Sequence, residues 1–403
     1  MSTHLLPVSD ALERLLADAG PVGVERVPIA EAAGRVLTTS IKALRTQPPF
    51  DASAMDGYAV RAEDVASVPA RLSVIGAAPA GQRFNGRLGS GQAVRIFTGA
   101  PVPQGADAVV LQEDTKVLAE GQVEILQGVA AGRHIRRAGL DFTEGDDLLE
   151  ARRVLDAAAI SLAAAANHPS LEVFRKPLVA ILATGDELLP PGSEPGPGQI
   201  IASNSYGVAA IARHWGADVL DLGIVPDDRA AIAHAVRYAL DAGADILVTL
   251  GGASVGEHDL VRDVLTGEGM ALDFWKIAMR PGKPLMFGRF QRMRALGLPG
   301  NPVSSLVGSH LFLAPLVARL AAREYSPDIR EARLGKAMAQ NDAREDYVRA
   351  LVEKDAGGLL ATPFDIQDSS MLTNLARANG FIIRAPFSPP AVAGDACRVM
   401  MVR

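Results

Sequence analysis

Four short segments of the 403-residue chain carry the side chains that do chemistry. In LATGDELL, Thr184, Gly185, Asp186 and Glu187 follow directly on an apolar run. The glycine lets a phosphate or a pterin approach the backbone, the threonine hydroxyl donates a hydrogen bond, and the carboxylates suit a hard cation such as Mg2+. Taken alone, the same residues read more readily as a strand-to-helix turn with a capping Asp. In LGGASVGEHD, Gly251 and Gly252 open a backbone concavity of the kind that holds anions, Ser254 adds a donor, and Glu257 and Asp259 stand at the rim. His258 has no Cys or second His near it and reads as a loop residue, not a zinc ligand. In LPGNPVSS, Pro299, Gly300, Asn301 and Pro302 lead into a helix. Asn301 is placed as N-cap and Pro302 at the first helical position, so unpaired N–H groups face the loop, where Ser304 and Ser305 add hydroxyls. WKIAMRPGKP sets Lys276, Arg280 and Lys283 around a Pro-Gly turn. Fixed cations of this kind hold a tetrahedral dianion, Arg as a fork and Lys as a mobile point charge.

Other positions are weaker by themselves. Asp56 before Gly57 in SAMDGYAV reads as a tight turn, and Thr98-Gly99 in RIFTGAP is no stronger. Arg349 interrupts an apolar alternation in DYVRALV, as a solvent-facing residue does, and Ser370 lies in DSSMLTNL. The cluster Arg133, Arg136 and Arg137 fits a solvated loop or an anion site.

The elements that must position these groups follow from the apolar pattern. PLVAILAT, DILVTL and RALGLP are Val-, Ile- and Leu-rich runs that stop at Gly or Pro, the form of a strand buried on both faces. Helix-length patterns fill Ser205 to Trp215 and Asp227 to Asp241, so parallel strands with right-handed crossovers are expected. Ligands of such sheets sit outside the carboxyl ends of the strands, and the loops are therefore predicted to converge on one pocket. Short β-prone runs between Gly/Pro turns predict a small β domain at 48–140. Residues 1–47 and 141–176 are read as an N-terminal and linking domain, 177–327 as the α/β domain, and 328–403 as a small C-terminal β barrel or sandwich. Within these, Ser9 to Ala19 is predicted as an amphipathic helix capped by Ser9 and packed on the α/β core, Leu155 to Asn167 as an alanine-rich helix, and Val303 to Ala322 as a long one. PPGSEPGPGQ, 190–199, is expected to be a mobile loop.

Bulk properties limit the function. With 48% hydrophobic and 21% charged residues the composition is that of an ordinary globular protein of several domains. A net charge of −6 argues against general nucleic-acid binding. The single Cys397 excludes an internal disulfide, a thiolate zinc cage and an iron–sulfur cluster within one chain, and a cytoplasmic location is expected. No export signal is visible, and the apolar stretch Leu162 to Ala166 is too short to cross a membrane, so no membrane partner is expected.

Read with PPFDASAMDGYAV and FTGA, the segments resemble, in order and over nearly the whole chain, the molybdopterin molybdotransferase family (MoeA and the gephyrin E-domain). The resemblance implies a multi-domain α/β protein: a Mog-like central parallel domain, an inserted small β domain, a linking segment and a C-terminal β barrel. The implied activity is insertion of molybdenum from molybdate into adenylylated molybdopterin, with hydrolysis of the adenylate to AMP. By motif, Asp56, Asp141, Glu187, Asp228 (or its neighbour Asp227), Asp259, Lys276 and Arg280 match catalytic positions. Thr98, Lys283, Pro299 and Pro302 match substrate positions, beside Thr184, Gly185, Gly251, Gly252, Ser254, Gly300 and Asn301 of the loops themselves. Lys283, Ser304, Arg349 and Ser370 match molybdate positions, and Mg2+ is expected on Asp56, Glu187 and Asp259. The family generally has a basic residue, frequently Lys, where Arg280 stands. A homodimer whose partner's β domain completes the site is implied, as is contact with the molybdopterin adenylyltransferase. Competing readings are a Mog-type adenylyltransferase, disfavoured because the second loop reads GGASVG and not GGTG, a CinA-like enzyme, disfavoured like the first by the full-length match that includes SAMDGYA and the C-terminal β region, and a gephyrin-type scaffold, which has no need of these carboxylates and lysines.

Overall fold

Strands that lie in the middle of a sheet between two helical layers must be apolar on both faces, and the three runs meet that condition. A computed structural model describes residues 5–119, 121–251 and 259–403. It divides into one unit of 1–25, 34–38 and 172–403 and another of 26–33 and 39–171.

In the larger unit, β1 (Leu178–Thr184), β2 (Asp218–Val225), β3 (Ile246–Leu250), β4 (Ala271–Trp275), β5 (Met286–Arg289) and β6 (Arg294–Leu298) form one sheet in the order β2-β1-β3-β6-β5-β4. The first four are parallel, whereas β5 runs antiparallel to both β6 and β4. The sheet is therefore parallel at its centre and mixed at one edge. Helices α1 (Asn204–His214), α2 (Arg229–Asp241) and α3 (Leu260–Gly267) supply the crossovers. One apolar cluster joins β1, β3 and β6 to α1 and the long helix, and the other joins them to α2 and α3.

The long helix runs Pro302–Leu320 and passes through a π-helical turn at Ser309–Leu313. It is apolar enough and long enough to cross a membrane by composition, but Phe312, Leu313, Leu316 and Val317 are buried in the core, which accounts for that composition. The N-terminal helix, Val8–Leu16, lays Ala11 and Leu15 against the same core. Pro7, not Ser9, occupies its N-cap, and Ser9 Oγ donates to Asp10 instead.

C-terminal to the sheet, β7 (Ile329–Leu334), β8 (Glu345–Asp355), β9 (Gly358–Pro363), β10 (Gly380–Arg384) and β11 (Ala396–Met401) close into a barrel. The ladder runs β8-β9-β7-β11-β10 and returns to β8 through the β8–β10 pairing. Closure leaves no free sheet edge. Met279–Arg280 adds a short parallel strand beside Glu345 and Asp346.

The smaller unit contains a six-stranded sheet whose strands, in spatial order, are Ala108–Leu111, Gly57–Val60, Gln92–Ile96, Ala70–Ala78, Gln122–Ile125 and Thr115–Val117. Both of its faces are apolar, one around Tyr58, Val60, Val110 and Ile125 and the other around Ala59, Val94, Ile96 and Val109. The helix Ala157–Ala165 is capped by Asp156, which accepts from the Ala159 N–H at 2.8 Å.

Gly57 opens the strand after Asp56 for a reason other than turn formation. A Cβ there would lie 1.9 Å from the Val110 carbonyl oxygen of the neighbouring strand. Gly57→Ala is predicted to lower unfolding stability by about 1–3 kcal/mol, the usual cost of overpacking, in denaturant titration. Wild-type stability in that variant would contradict the close approach.

Candidate active site

The three loops meet. A cavity of about 630 Å3 in the larger unit is lined by Thr184, Gly185 and Glu187 after β1, by Gly251 after β3, and by Pro299, Gly300, Asn301 and Pro302 after β6. The meeting is made backbone to backbone. A Cβ on Gly251, whose φ is +98°, would sit 2.6 Å from the Thr184 carbonyl oxygen, and one on Gly300 would sit 3.6 Å from the Gly251 Cα. Only glycine at 251 combines that φ with that proximity.

Around this junction the polar groups are unevenly satisfied. Thr184 is buried, and its Oγ1 has no hydrogen-bond partner among the described residues. A hydroxyl so placed beside a cavity is a ready donor to a ligand. Asp227 also lines the cavity, and burial first, then the charges of Asp186 and Glu187, push its carboxyl above the usual range. Asp228 does not line it. Its side chain caps α2, accepting from the Ala231 N–H at 2.9 Å, so of the two adjacent carboxylates the sequence-favoured one is the cap and Asp227 faces the cavity.

The segment between β1 and α1 is a part of the wall that sequence reasoning missed. Ile201, Ser203, Asn204 and Ser205 line the cavity. Asn204 donates through Nδ2 to the Gly300 carbonyl at 2.7 Å, tying the start of α1 to the third loop. The polar SNS stretch before an apolar helical pattern was the available signal. The 190–199 loop is closed at its base by parallel pairing of Leu188–Leu189 with Ile200–Ile201 and carries internal turns at Ser193 and Gln199.

Asn301 stands at the N-cap position but does not cap with its side chain. Its Nδ2 donates to Ser369 Oγ at 3.0 Å, which brings the 368–371 segment to the third loop, and Ser370 lines the cavity. Ser370 is held in turn by Asp368 Oδ1, which accepts from its N–H at 2.8 Å and its hydroxyl at 2.6 Å. Ser304 is buried just inside the helix.

Asp259 is 1% exposed and caps α3, accepting from the Arg262 N–H at 3.0 Å. Its Oδ2 has no partner among the described residues, and burial pushes its pKa up. Gly252 and Ser254, together with Glu257 and His258, lie outside the described residues.

The cations do not gather in this cavity as the sequence suggested. Lys276 places its ammonium 3.9 Å from the centroid of the Trp275 ring, a cation–π contact. Lys283 precedes Pro284, which lines the cavity, and its ammonium makes no hydrogen bond or ion pair among the described residues. Arg280 and Arg349 line a different cavity, at the barrel, where Arg280 is paired with Asp346.

In the smaller unit, Asp56 and Thr98, 42 residues apart, are joined: the N–H and hydroxyl of Thr98 donate to Asp56 Oδ1 at 2.7 and 2.8 Å. Those two bonds hold the Asp56 carboxyl below its usual range. Asp141 lines a cavity of about 530 Å3 with Arg45, Arg136 and Gly99. Arg137 is instead an ion-pair partner of Asp51 at 2.6 Å.

Family models described as "MoeA N-terminal region (domain I and II)", "Probable molybdopterin binding domain" and "MoeA C-terminal region (domain IV)" match residues 6–167, 180–319 and 331–402. A molybdopterin molybdenumtransferase of Bacillus subtilis (strain 168) is 36% identical over 99% of this chain and 94% of its own length. One of Nostoc sp. is 39% identical over 80% of this chain and 76% of its own. A crystal structure of a molybdopterin biosynthesis MoeA protein from Pyrococcus horikoshii superposes with a TM-score of 0.81 at 31% identity, covering 99% of this chain and 100% of that one.

Asp227 provides a test of the acidic wall. Its folded-state pKa is raised, so the native state is penalised once pH rises above the unfolded value of 3.8. Asp227→Asn is predicted to be more stable than wild type at neutral pH, and the difference is predicted to vanish below about pH 3, where both forms are uncharged. Thermal unfolding across that range checks it; a pH-independent difference contradicts the acidic cluster.

Proposed function

The chain belongs to the MoeA family of molybdopterin molybdenumtransferases, and from that premise we propose how its residues divide the work of inserting molybdenum into molybdopterin. The protein is a transferase that delivers molybdenum to molybdopterin. Matches to the N- and C-terminal regions as well as to the central domain leave the adenylyltransferase and CinA-like readings without support. The observation that carries the site assignment is the convergence of the Thr184, Gly251 and Pro299–Pro302 loops on one cavity.

In this reading the substrate is adenylylated molybdopterin. The glycine-lined junction admits the flat pterin or the phosphates against backbone, and the Thr184 hydroxyl donates to them. Glu187 and Asp227 orient a water for attack on the phosphoanhydride phosphorus. Asp227, made more basic by burial and by its acidic neighbours, takes the proton as AMP leaves.

Molybdate is the second substrate. Lys283, Ser370, Ser304 and Arg349 are proposed to capture the dianion and hold it near the dithiolene sulfurs, which belong to the substrate, so no protein thiolate is needed. Lys276 contributes to the cationic surroundings, whereas the Arg280 charge is met by Asp346.

Mg2+ is proposed as cofactor. The donors are all oxygen, Asp259 Oδ2 is buried without a partner among the described residues, and Glu187 faces the cavity, which suits a hard ion that keeps several waters. Among the described residues no three His, Cys, Asp or Glu side chains are gathered closely enough to hold a metal ion by themselves. Bound with Glu187 and Asp259, and with Asp56 of the partner subunit in the proposed homodimer, Mg2+ would polarise the phosphoanhydride. A homodimer, contact with the molybdopterin adenylyltransferase and a cytoplasmic location complete the proposal.

Incubation with adenylylated molybdopterin, Mg2+ and molybdate is predicted to release AMP and active cofactor. Glu187→Ala is predicted to keep the wild-type circular dichroism spectrum while AMP release falls about 10²–10⁴-fold, the scale of a lost acid–base group. Unchanged turnover in that variant would refute the role given to Glu187.

A further inference from the structure

At the mouth of the barrel a cavity of about 550 Å3 is lined by Arg280, Lys336, Asp346, Arg349 and Arg384. These cations are unequally engaged. Arg384 donates to the Ala339 and Pro389 carbonyls at 3.1 and 2.5 Å, and Lys336 pairs with Asp365 at 2.7 Å. Arg280 is the most heavily committed. Its Nε donates to Asp346 Oδ1 at 2.5 Å, its Nη2 donates to Asp346 Oδ2, and Nη2 also reaches Asn341 Oδ1 at 3.1 Å. Asp342 adds a further carboxylate 3.5 Å from Nη1.

Arg349 is the opposite case. It is 1% exposed, its side chain makes one hydrogen bond, from Nη2 to the Asp368 carbonyl at 3.1 Å, and its Nε has no partner among the described residues. A buried guanidinium with an unused donor at a cavity wall is an anion receptor awaiting an anion. Asp346 is buried too, fills the Arg280 fork, and lies close enough for its charge to act on Arg349.

We propose that Asp346 is an internal counter-anion which occupies the Arg280 fork and leaves Arg349 as the guanidinium open to an incoming tetrahedral oxyanion. This rests on the reading above, in which that oxyanion is molybdate. The two anions compete for the same N–H groups, and a fork filled by a carboxylate offers few to a ligand. The competition has a use. An oxyanion that must move on to the sulfurs of a second substrate is best held by a site that does not retain it, since uniform tight binding does not speed transfer. Asp346 is thus a positioning residue that sets how firmly the cargo is held.

Asp346→Asn keeps the shape and removes the competing charge. In equilibrium dialysis of the full chain against molybdate alone, this variant is predicted to bind about tenfold tighter, the worth of one charge-assisted contact. The gain is predicted to disappear when Arg280→Ala is added. In turnover, the KM for molybdate is predicted to fall while kcat does not rise, a split that a merely structural role does not produce. Asp346→Ser removes the same charge with a smaller side chain if the Asn variant fails to fold, and binding is predicted to tighten by a similar factor. Unchanged or weaker binding in either folded variant overturns the proposal. If wild-type protein neither binds molybdate nor releases AMP, the functional reading fails and this inference falls with it. If it does both and the variants bind no tighter, only the inference fails.

Discussion

The larger unit depends on an approach of backbones that side chains would forbid. Gly251 lies between Thr184 and Gly300, with no room for a Cβ on the Thr184 side. Remove that closeness and the first and second loops separate, the cavity loses its floor, and Glu187 and Asp227 no longer share a wall with Pro299–Pro302. The sheet makes the approach possible. β1, β3 and β6 are adjacent and parallel, so their carboxyl ends emerge side by side, and the apolar residues that bury them on both faces fix their register.

Charge is distributed as the proposed chemistry requires. One wall of the cavity concentrates acid, and burial plus like charge raise Asp227 there. The cations are spread more widely: Lys276 is stacked on Trp275, Arg280 is neutralised by Asp346, and Arg349 is buried with a donor unused among the described residues. A dianion is therefore met by few free positive charges at a time, which favours passage over retention.

Much of this was legible in the residues. Strands buried on both faces read as uninterrupted Val/Ile/Leu runs, and their terminal glycines mark the loops, so the α/β core, the convergence of loops and a C-terminal β domain followed from pattern, while its form as a barrel followed only from the family resemblance. What was not legible depends on partners far away in the chain. Asp56 gains meaning only through Thr98, 42 residues on, and Arg280 only through Asp346, 66 residues on. WKIAMRPGKP looks like one cationic cluster, but Trp275 and Asp346 draw Lys276 and Arg280 to different places. Asp227 and Asp228 cannot be told apart by composition; the helix takes Asp228 as its cap and leaves its neighbour to the cavity. Asn301 shows the same limit, since a residue of ideal capping type spends its side chain on Ser369.

Hydrogen–deuterium exchange in the presence and absence of adenylylated molybdopterin tests the central claim most directly. Protection is predicted at 183–188, 200–205 and 299–302 together, because the segments share one cavity wall. Protection of one of them alone, or only of the barrel mouth around 336–349, would contradict the shared site.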